Sequence, residues 1–180
     1  MKSIATERLL LRKWDAQDCV DLFGYASNPE VGRNAGQSTL KTIAEAKHVL
    51  VQYIKADRSY AIVLQAENKV IGSIGYDVFI PDETYENTHH FSIGFSINPQ
   101  YWGMGYATET VKYFIDYLFL EYKADVIWCS HFYFNERSKR VIEKCGFEYQ
   151  FSRARRVKVL ADTQVEELVY RLEKPLRRND

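Results

Sequence analysis

The sequence lacks long hydrophobic runs, an excess of either charge and paired cysteines, and each shortage excludes a class of protein. Its apolar stretches fall well short of the roughly 18 to 20 residues that span a bilayer. The N-terminal segment reaches charged Glu7 and Arg8 without the apolar stretch of a signal peptide. The sequence therefore predicts a soluble, cytoplasmic protein with no membrane partner.

Charge and cysteine content narrow the field further. The 24 basic and 24 acidic side chains cancel, so no overall field would hold the chain on nucleic acid, and a nucleic-acid partner is not expected. Cys19, Cys129 and Cys145 are odd in number and lack metal-ligand spacing. We expect reduced, packed thiols and no metal site.

The chain does have the composition of a globular domain. Its 180 residues predict a single domain over 1–180, and 46% hydrophobic with 27% charged residues excludes general disorder. No internal repeat, linker or low-complexity tract divides the sequence.

Hydrophobic periodicity predicts a mixed α+β order of elements. The first helix is predicted to follow a cap at 15–18, to bury Val20, Leu22 and Phe23, and to stop at Pro29. In chain order the predicted elements are a strand at 9–11, a helix between 18 and 28, a helix at 42–53, a hairpin at 60–64 and 70–79, a polar loop at 81–86, a strand at 91–97, a helix around 111–118, a strand at 126–134, a short helix at 138–144, and terminal strands at 147–157 and 165–172.

The segment with the most chemical content connects the strand at 91–97 to the next helix. It reads Gln100-Tyr101-Trp102-Gly103-Met104-Gly105-Tyr106-Ala107-Thr108-Glu109. Glycines let the backbone turn sharply and bring N–H groups close to a ligand, and a helix start adds unpaired donors and partial positive charge. A phosphate or pyrophosphate fits such a turn.

Two other interpretations of this segment stay open on the glycines alone. As a dinucleotide-binding fingerprint it lacks the third glycine, with Thr108 in that place, although Asp125 lies near the expected acidic position. It could also be a plain strand-to-helix connection without a ligand.

Four ordered motifs resemble those of the GCN5-related N-acetyltransferase (GNAT) superfamily. Gln100-x-x-Gly103-x-Gly105 is similar to its phosphate-binding signature. Within the superfamily, the ribosomal-protein-alanine N-acetyltransferases (RimJ/RimL-like) are the closer likeness, over nearly the whole chain. The segments similar to theirs are Thr6-Glu7-Arg8-Leu9-x-Leu11-Arg12, Ile93-Gly94-Phe95, Gly105-Tyr106-Ala107-Thr108-Glu109 and the block from Asn135 to Phe147.

The resemblance implies an α/β GNAT fold: a twisted, mostly antiparallel central sheet with splayed middle strands and helices on both faces. It implies acetyl-CoA as cosubstrate, no metal, and direct acetyl transfer in a ternary complex. The acceptor would be a primary amine, either a small molecule or a protein N-terminus.

The resemblance also implies which residues bind the coenzyme. Backbone groups near Phe95, Ser96 and Ile97 would pair with the pantetheine arm and help polarise the carbonyl, and the amides from Trp102 to Thr108 would hold the pyrophosphate. Asn135 would bond the coenzyme arm, or cap the following helix. The implied coenzyme-binding residues are Phe95, Ser96, Ile97, Trp102, Gly103, Met104, Gly105, Tyr106, Ala107, Thr108 and Asn135, with packing as the alternative for the side chains of Trp102, Met104 and Tyr106.

Ser138 is similar to the family serine that protonates the leaving thiolate, and its alternative is an ordinary first-turn helix serine. Relatives often carry a glutamate base where this chain has Ser92. His90 shares that strand face and could act as the base through a water; an exposed histidine without a role is its alternative.

Other hypotheses concern binding and assembly. A catalytically weak GNAT-fold coenzyme A sensor is one alternative. The basic run Arg153, Arg155, Arg156 and Lys158 predicts a solvated edge strand or, as another alternative, a ribosome or RNA contact. Tyr76, Phe79 and Tyr85 could line an acceptor pocket or pack in the core, and a homodimer through the terminal strands is one expectation for assembly.

Overall fold

The structure is a computed structural model that describes residues 2–79 and 88–174. Within these residues the chain forms eight strands and five α-helices. The strands are β1 (Ile4–Ala5), β2 (Leu9–Arg12), β3 (Ser59–Leu64), β4 (Lys69–Val78), β5 (His90–Ile97), β6 (Val126–Phe132), β7 (Glu148–Val157) and β8 (Thr163–Glu173). The helices are α1 (Cys19–Ala26), α2 (Pro29–Ala35), α3 (Ile43–Ala56), α4 (Tyr106–Glu121) and α5 (Glu136–Lys144).

All eight strands form one sheet in the order β1-β2-β3-β4-β5-β6-β8-β7. Every neighbouring pair is antiparallel except β5 and β6, which run parallel. A parallel pair needs a long crossover connection, and α4 supplies it. The predicted α/β class with a mostly antiparallel sheet is confirmed.

Helices cover both faces of the sheet, as expected. On one face, which we call the α4 face, α4 and α5 bury Phe114, Leu118 and Ile142 against the strands. On the opposite face, α1, α2 and α3 form a second core with β3 and β4 that includes Leu22 and Leu50. Burial of these apolar side chains is the main favourable contribution to such a layered fold.

The hydrophobic pattern located most elements, but three details of the first third were wrong or missed. Val20 is 70% exposed, and α1 buries Tyr25 instead, so the predicted stripe was partly wrong. The short strand β1 was not predicted. The helix α2 was missed as well, since Pro29 starts it: Asn28 caps Glu30 N at 2.9 Å, and proline fits the first helical position.

Within the described residues, no helix combines the length and apolarity that a membrane crossing requires. The predicted polar loop at 81–86, and with it Tyr85, lies outside the described residues. The predicted terminal strands form a long hairpin whose outer strand, β7, is the edge of the sheet.

Candidate active site

The central feature of the sheet is a gap between its two parallel strands. The strands β5 and β6 pair from His90 to Ile93, and the last pair joins Ile93 to Cys129. Both strands continue beyond this point, to Ile97 and Phe132, without pairing to each other. The sheet therefore splays at the carboxyl ends of two parallel strands, as the resemblance implied.

Backbone direction decides which groups of β5 point into this gap. His90 O accepts from Phe79 N and Asn98 N donates to Ile71 O, so the even-numbered residues of β5 direct their backbone towards β4. The odd-numbered Phe95 and Ile97 consequently direct theirs into the gap. Of the three residues predicted here, Ser96 thus presents its backbone to β4.

A turn with two left-handed glycines follows β5 and starts α4. Gly103 and Gly105 have φ angles of +79° and +83°, a region that side chains disfavour. Within the described part of the chain, the amides of residues 103 to 108 have no hydrogen-bond acceptor, whereas Glu109 N donates to Gly105 O at 3.0 Å. We call residues 102–108 the glycine turn; it presents successive unpaired donors at a helix start.

The three side chains of this turn do different things. Trp102 donates from Nε1 to Ile97 O at 2.7 Å and so ties the turn to β5. Met104 is 52% exposed, so its side chain is not explained by packing. The ring of Tyr106 lies under the Arg8 guanidinium, 4.4 Å from the ring centroid. The side chains of Trp102 and Tyr106 therefore have structural contacts, which is compatible with the packing alternative.

An ion pair that the sequence did not reveal braces the glycine turn from outside. Glu109 accepts hydrogen bonds from Thr6 Oγ1 at 2.6 Å, Arg8 N at 2.8 Å and Arg8 Nε at 2.7 Å. Arg8 also donates to Met104 O at 3.0 Å. We call Thr6, Arg8 and Glu109 the N-terminal clamp. The partners lie 101 residues apart in the chain, so no local pattern could predict their contact.

The environment of Glu109 keeps it ionised. Burial alone would raise the pKa of Glu109, but hydrogen bonds from Thr6 and Arg8 together outweigh burial and lower it from the ordinary value of 4.5. The negative charge lies in the first turn of α4, where the helix dipole also favours it. The clamp therefore fixes the start of α4 electrostatically.

Asn135 and Ser138 form one hydrogen-bonded unit where β6 ends and α5 begins. Asn135 Oδ1 accepts from Ser138 N at 3.1 Å, so Asn135 caps α5, and its Nδ2 donates to Ser138 Oγ at 2.9 Å. Asn135 is 7% exposed. Arg137, the next residue after the start of α5, stacks on Trp102 at 4.3 Å, which brings this unit beside the glycine turn.

His90 lies on the opposite face from α4, with Ser92, as the strand alternation predicted. It is only 2% exposed, so the expectation of an exposed histidine was wrong. Its Nδ1 accepts a hydrogen bond from Trp128 Nε1 at 3.0 Å. Burial is the main cause that lowers the His90 pKa below 6.5. Asp125 opposes this shift and Arg171 adds to it, so the net effect keeps the ring neutral.

The remaining candidates are two aromatic side chains, which pack against other rings, and the cysteines. Tyr76 packs edge-on against Phe91 in the core, and Phe79 packs on Trp128. Of the cysteines, burial raises the pKa of Cys145 to about 11 and that of Cys129 to about 12. Both thiols are therefore protonated at neutral pH and are poor nucleophiles.

Arg153, Arg155 and Arg156 lie on the edge strand β7, and Lys158 begins the short 3₁₀ helix that follows. All four are exposed, which confirms the solvated-edge interpretation. Arg156 pairs with Asp162. Arg153 and Arg155 instead pair with Glu167, a buried carboxylate on β8 that sequence reasoning did not single out. Nothing in a single strand's alternation identifies the partner across a hairpin.

Comparisons with known proteins identify relatives of this chain. The sequence profile described as acetyltransferase (GNAT) domain matches residues 8–148. The uncharacterized N-acetyltransferase YnaD of Bacillus subtilis (strain 168) is 30% identical over 145 residues, which cover 79% of this chain and 81% of that protein.

Solved structures share the fold at lower identity. A GNAT-family acetyltransferase from Bacillus anthracis superposes with a TM-score of 0.83 at 24% identity, over 96% of this chain and 98% of that one. RimL, a ribosomal L7/L12 α-N-protein acetyltransferase solved with coenzyme A, superposes with a TM-score of 0.77 at 13% identity, over 96% and 98%.

Proposed function

This chain belongs to the acetyltransferase (GNAT) domain family and is an N-acetyltransferase, and from that premise we propose that it transfers the acetyl group of acetyl-CoA directly to a primary amine in a ternary complex. The acceptor is a protein N-terminal amine, as for the RimJ/RimL-like enzymes, or a small-molecule amine. The chain acts in the cytoplasm. It forms one catalytic domain over 1–180, a reading supported by a single sheet that runs from Ile4 to Glu173.

The observation that carries this proposal is the juxtaposition of the strand gap and the glycine turn. The backbone N–H and C=O of Phe95 and the N–H of Ile97 point into the gap, where an extended pantetheine arm can pair with them, whereas Ile97 O already accepts from Trp102 Nε1. The unpaired amides of residues 103 to 108 lie at the head of α4, where a pyrophosphate fits. Both features occur at the carboxyl ends of parallel strands, the usual place for such ligands.

Ser138 is our candidate for the acid that protonates the leaving thiolate. Because Ser138 Oγ already accepts a hydrogen bond from Asn135 Nδ2, its own proton is directed towards another acceptor. Asn135 Nδ2 donates to both Ser138 Oγ and Asn34 O, so Asn135 would hold the coenzyme arm as an acceptor, through the second lone pair of Oδ1. A positioned donor of this kind stabilises negative charge as it develops on sulfur.

The amine must lose a proton before or during attack, and His90 stays our candidate base. In the neutral ring, an Nδ1 that accepts from Trp128 leaves the proton on Nε2. Base catalysis therefore requires Nδ1 to exchange Trp128 for a water. Ser92 and Ser96, partly exposed on the same face, can orient that water.

A covalent acetyl-cysteine intermediate is not part of the proposal. The raised pKa values of Cys129 and Cys145 leave little thiolate at neutral pH. Direct attack by the amine needs no protein nucleophile. Double-reciprocal plots of initial rate, with acetyl-CoA and the amine both varied, should therefore give the intersecting lines of a ternary-complex mechanism.

The test is thiol release from acetyl-CoA over a panel of peptide amines, polyamines and amino sugars, with coenzyme binding measured by calorimetry on the same preparation. Turnover of peptides supports the protein N-terminal acceptor, and turnover of small amines replaces it with a small-molecule one. An absence of coenzyme binding would overturn the assignment of the gap and the glycine turn.

One observation favours a second candidate function. Ser92 stands where relatives often carry the glutamate base, which fits a coenzyme A sensor with weak catalysis. Tight coenzyme binding without turnover of any amine would favour the sensor. A ribosome or RNA contact has less support, because the 24 basic and 24 acidic side chains cancel and leave no overall positive field.

A further inference from the structure

A buried carboxylate holds two arginines beside the strand gap. Glu167 Oε2 accepts from Arg153 Nε at 2.7 Å, and Oε1 accepts from Arg155 Nη1 at 2.8 Å and from Ser130 Oγ at 2.8 Å. The Glu167 side chain is 3% exposed, whereas those of Arg153 and Arg155 are 48% and 51% exposed. We call Arg153 and Arg155 the arginine pair.

Glu167 is suited to position the arginine pair and not to take a proton. Burial alone would raise its pKa, but the hydrogen bonds from Arg153, Ser130 and Arg155 outweigh burial and lower it. Both carboxylate oxygens already accept hydrogen bonds. The carboxylate therefore acts as a fixed anchor that directs two guanidinium groups.

The cluster lies next to the gap, on the face away from α4. Ser130 is the first residue of β6 beyond its last pair with β5, and strand alternation places it on the same face as Trp128 and Ser92. Neighbouring strands lie about 5 Å apart, so the arginine pair on β7 is two strand spacings, or about 10 Å, from β6, which lines the gap. The guanidinium groups reach back across β8 to Glu167, and that of Arg155 lies 5.7 Å from the ring centroid of Phe132, the last residue of β6.

This face has open space next to β5. On the α4 face the core residues Phe114 and Leu118 are fully buried against the sheet. On the opposite face, among the described residues, a Cβ added at Gly94 would meet nothing within 4 Å. An amine therefore has room beside Gly94, on the face that carries the arginine pair.

The charge of the cluster is positive. One carboxylate is shared by two guanidinium groups, and each guanidinium keeps N–H donors beyond the single one it uses towards Glu167. On the same face, Arg171 pairs with Glu173 at 3.0 Å and Asp77 pairs with Arg58 at 3.6 Å. Because both arginine side chains are about half exposed, the excess positive charge faces solvent.

We propose that the arginine pair binds an anionic group of the acceptor, so that this enzyme selects amines carrying a carboxylate or a phosphate near the reacting nitrogen. The inference rests on the proposed function and adds its substrate class. Arginine suits both anions because its planar donors match their oxygens. The half-exposed pair should act mainly on acceptor affinity, with strong salt dependence.

The experiment compares peptides that have a free N-terminal alanine and a blocked C-terminus. They differ in the second residue, which is aspartate, asparagine, lysine, phosphoserine or serine. For the wild type we expect kcat/KM to be about tenfold higher for the aspartate peptide than for the asparagine peptide, which corresponds to about 1.4 kcal/mol. The phosphoserine and serine pair distinguishes phosphate from carboxylate. Added salt should reduce the preference.

Variants assign the preference to the arginine pair. In Arg153→Gln and Arg155→Gln, the ratio of kcat/KM for the aspartate peptide to that for the asparagine peptide should fall towards one. Arg155→Lys should retain part of the preference for aspartate. Arg156→Gln is the matched control, because Arg156 lies on the same strand but pairs with Asp162. Equal loss on all peptides would mean that the pair only braces the terminal hairpin, and would overturn the inference.

Titration of the same peptides into the protein with coenzyme A bound gives a readout independent of turnover. A charge preference in binding that disappears in Arg155→Gln supports the inference even if no peptide is acetylated. Equal binding of the acidic, neutral and basic peptides overturns it. Failure of coenzyme binding, by contrast, removes the proposed function and is measured separately.

Discussion

Ser138 derives its proposed role from one neighbour. Asn135 orients it twice, by capping its amide and by donating to its hydroxyl, so a helix cap and a candidate acid are the same structural unit. The two alternative roles weighed for Asn135, cap and ligand, are thus compatible. A first-turn serine without Asn135 would be free to rotate.

At this scale we expect Ser138→Ala to lower kcat by about 100-fold, within the usual contribution of a positioned proton donor. Coenzyme affinity, measured by calorimetry, should stay close to that of the wild type. Ser138→Cys, which keeps a donor, is the matched control and should lose less. An unchanged kcat in the alanine variant would remove Ser138 from the chemistry.

His90 makes a prediction about pH. Because its pKa is lowered, a base at this position becomes protonated only below its ordinary value of 6.5, so kcat/KM should be flat at neutral pH and fall in acid. His90→Gln should abolish that acid limb as well as reduce the rate. If the variant keeps the wild-type profile, another group is the base.

Among the elements, the loop that precedes α4 depends on two glycines with positive φ. A valine side chain at Gly103 would have open space around it, but the positive φ would strain its backbone. We therefore expect Gly103→Val to weaken coenzyme binding by about tenfold or more. Gly146→Val is the control, since Gly146 has a φ of +85° but ends α5. Similar coenzyme affinity in both variants and the wild type would contradict the pyrophosphate assignment.

The start of α4 is also held by the N-terminal clamp, and this contact links stability to pH. The lowered pKa of Glu109 means that the folded state binds a proton at Glu109 less readily than the unfolded state does. The contribution of Glu109 to the free energy of unfolding is therefore fully present above the ordinary glutamate pKa and is lost as pH falls through the lowered value. Denaturant unfolding should show Glu109→Gln less stable than the wild type at pH 7, with the difference shrinking in acid.

The same variant tests whether the clamp serves the site. If Arg8 and Glu109 position the glycine turn, Glu109→Gln should raise the KM for acetyl-CoA more than it lowers kcat. Lys2→Ala, which removes the exposed Lys2–Glu121 pair at the other end of α4, is the control and should change neither. A loss of stability with unchanged KM would make the clamp a fold contact only.

At the scale of the whole molecule, β7 leaves one sheet edge exposed, and a homodimer through it stays our prediction. Two copies paired along β7 would bring Arg153, Arg155 and Arg156 of each into proximity, and like charges oppose such pairing. Association measured by sedimentation should therefore strengthen as salt is added. A monomer at every salt concentration would contradict the prediction.

Local patterns predicted the fold well and the site in part. Strand alternation, the cap at 15–18 and the glycine turn all depend on neighbouring residues. Contacts between distant segments are not: Glu109 with Arg8, and Glu167 with Ser130 and Arg153, depend on which strands become neighbours. The burial of His90 had the same origin, because Trp128 belongs to another strand.

The gap between β5 and β6 is a sheet edge placed inside a sheet. Exposed edges ordinarily invite other polypeptides to add a strand. This one is closed at Ile93 and Cys129 and widens only over the last residues of each strand. A wedge of that shape gives a second protein chain no length to pair along, so it admits slender molecules that carry their own amides and excludes aggregation at the same place.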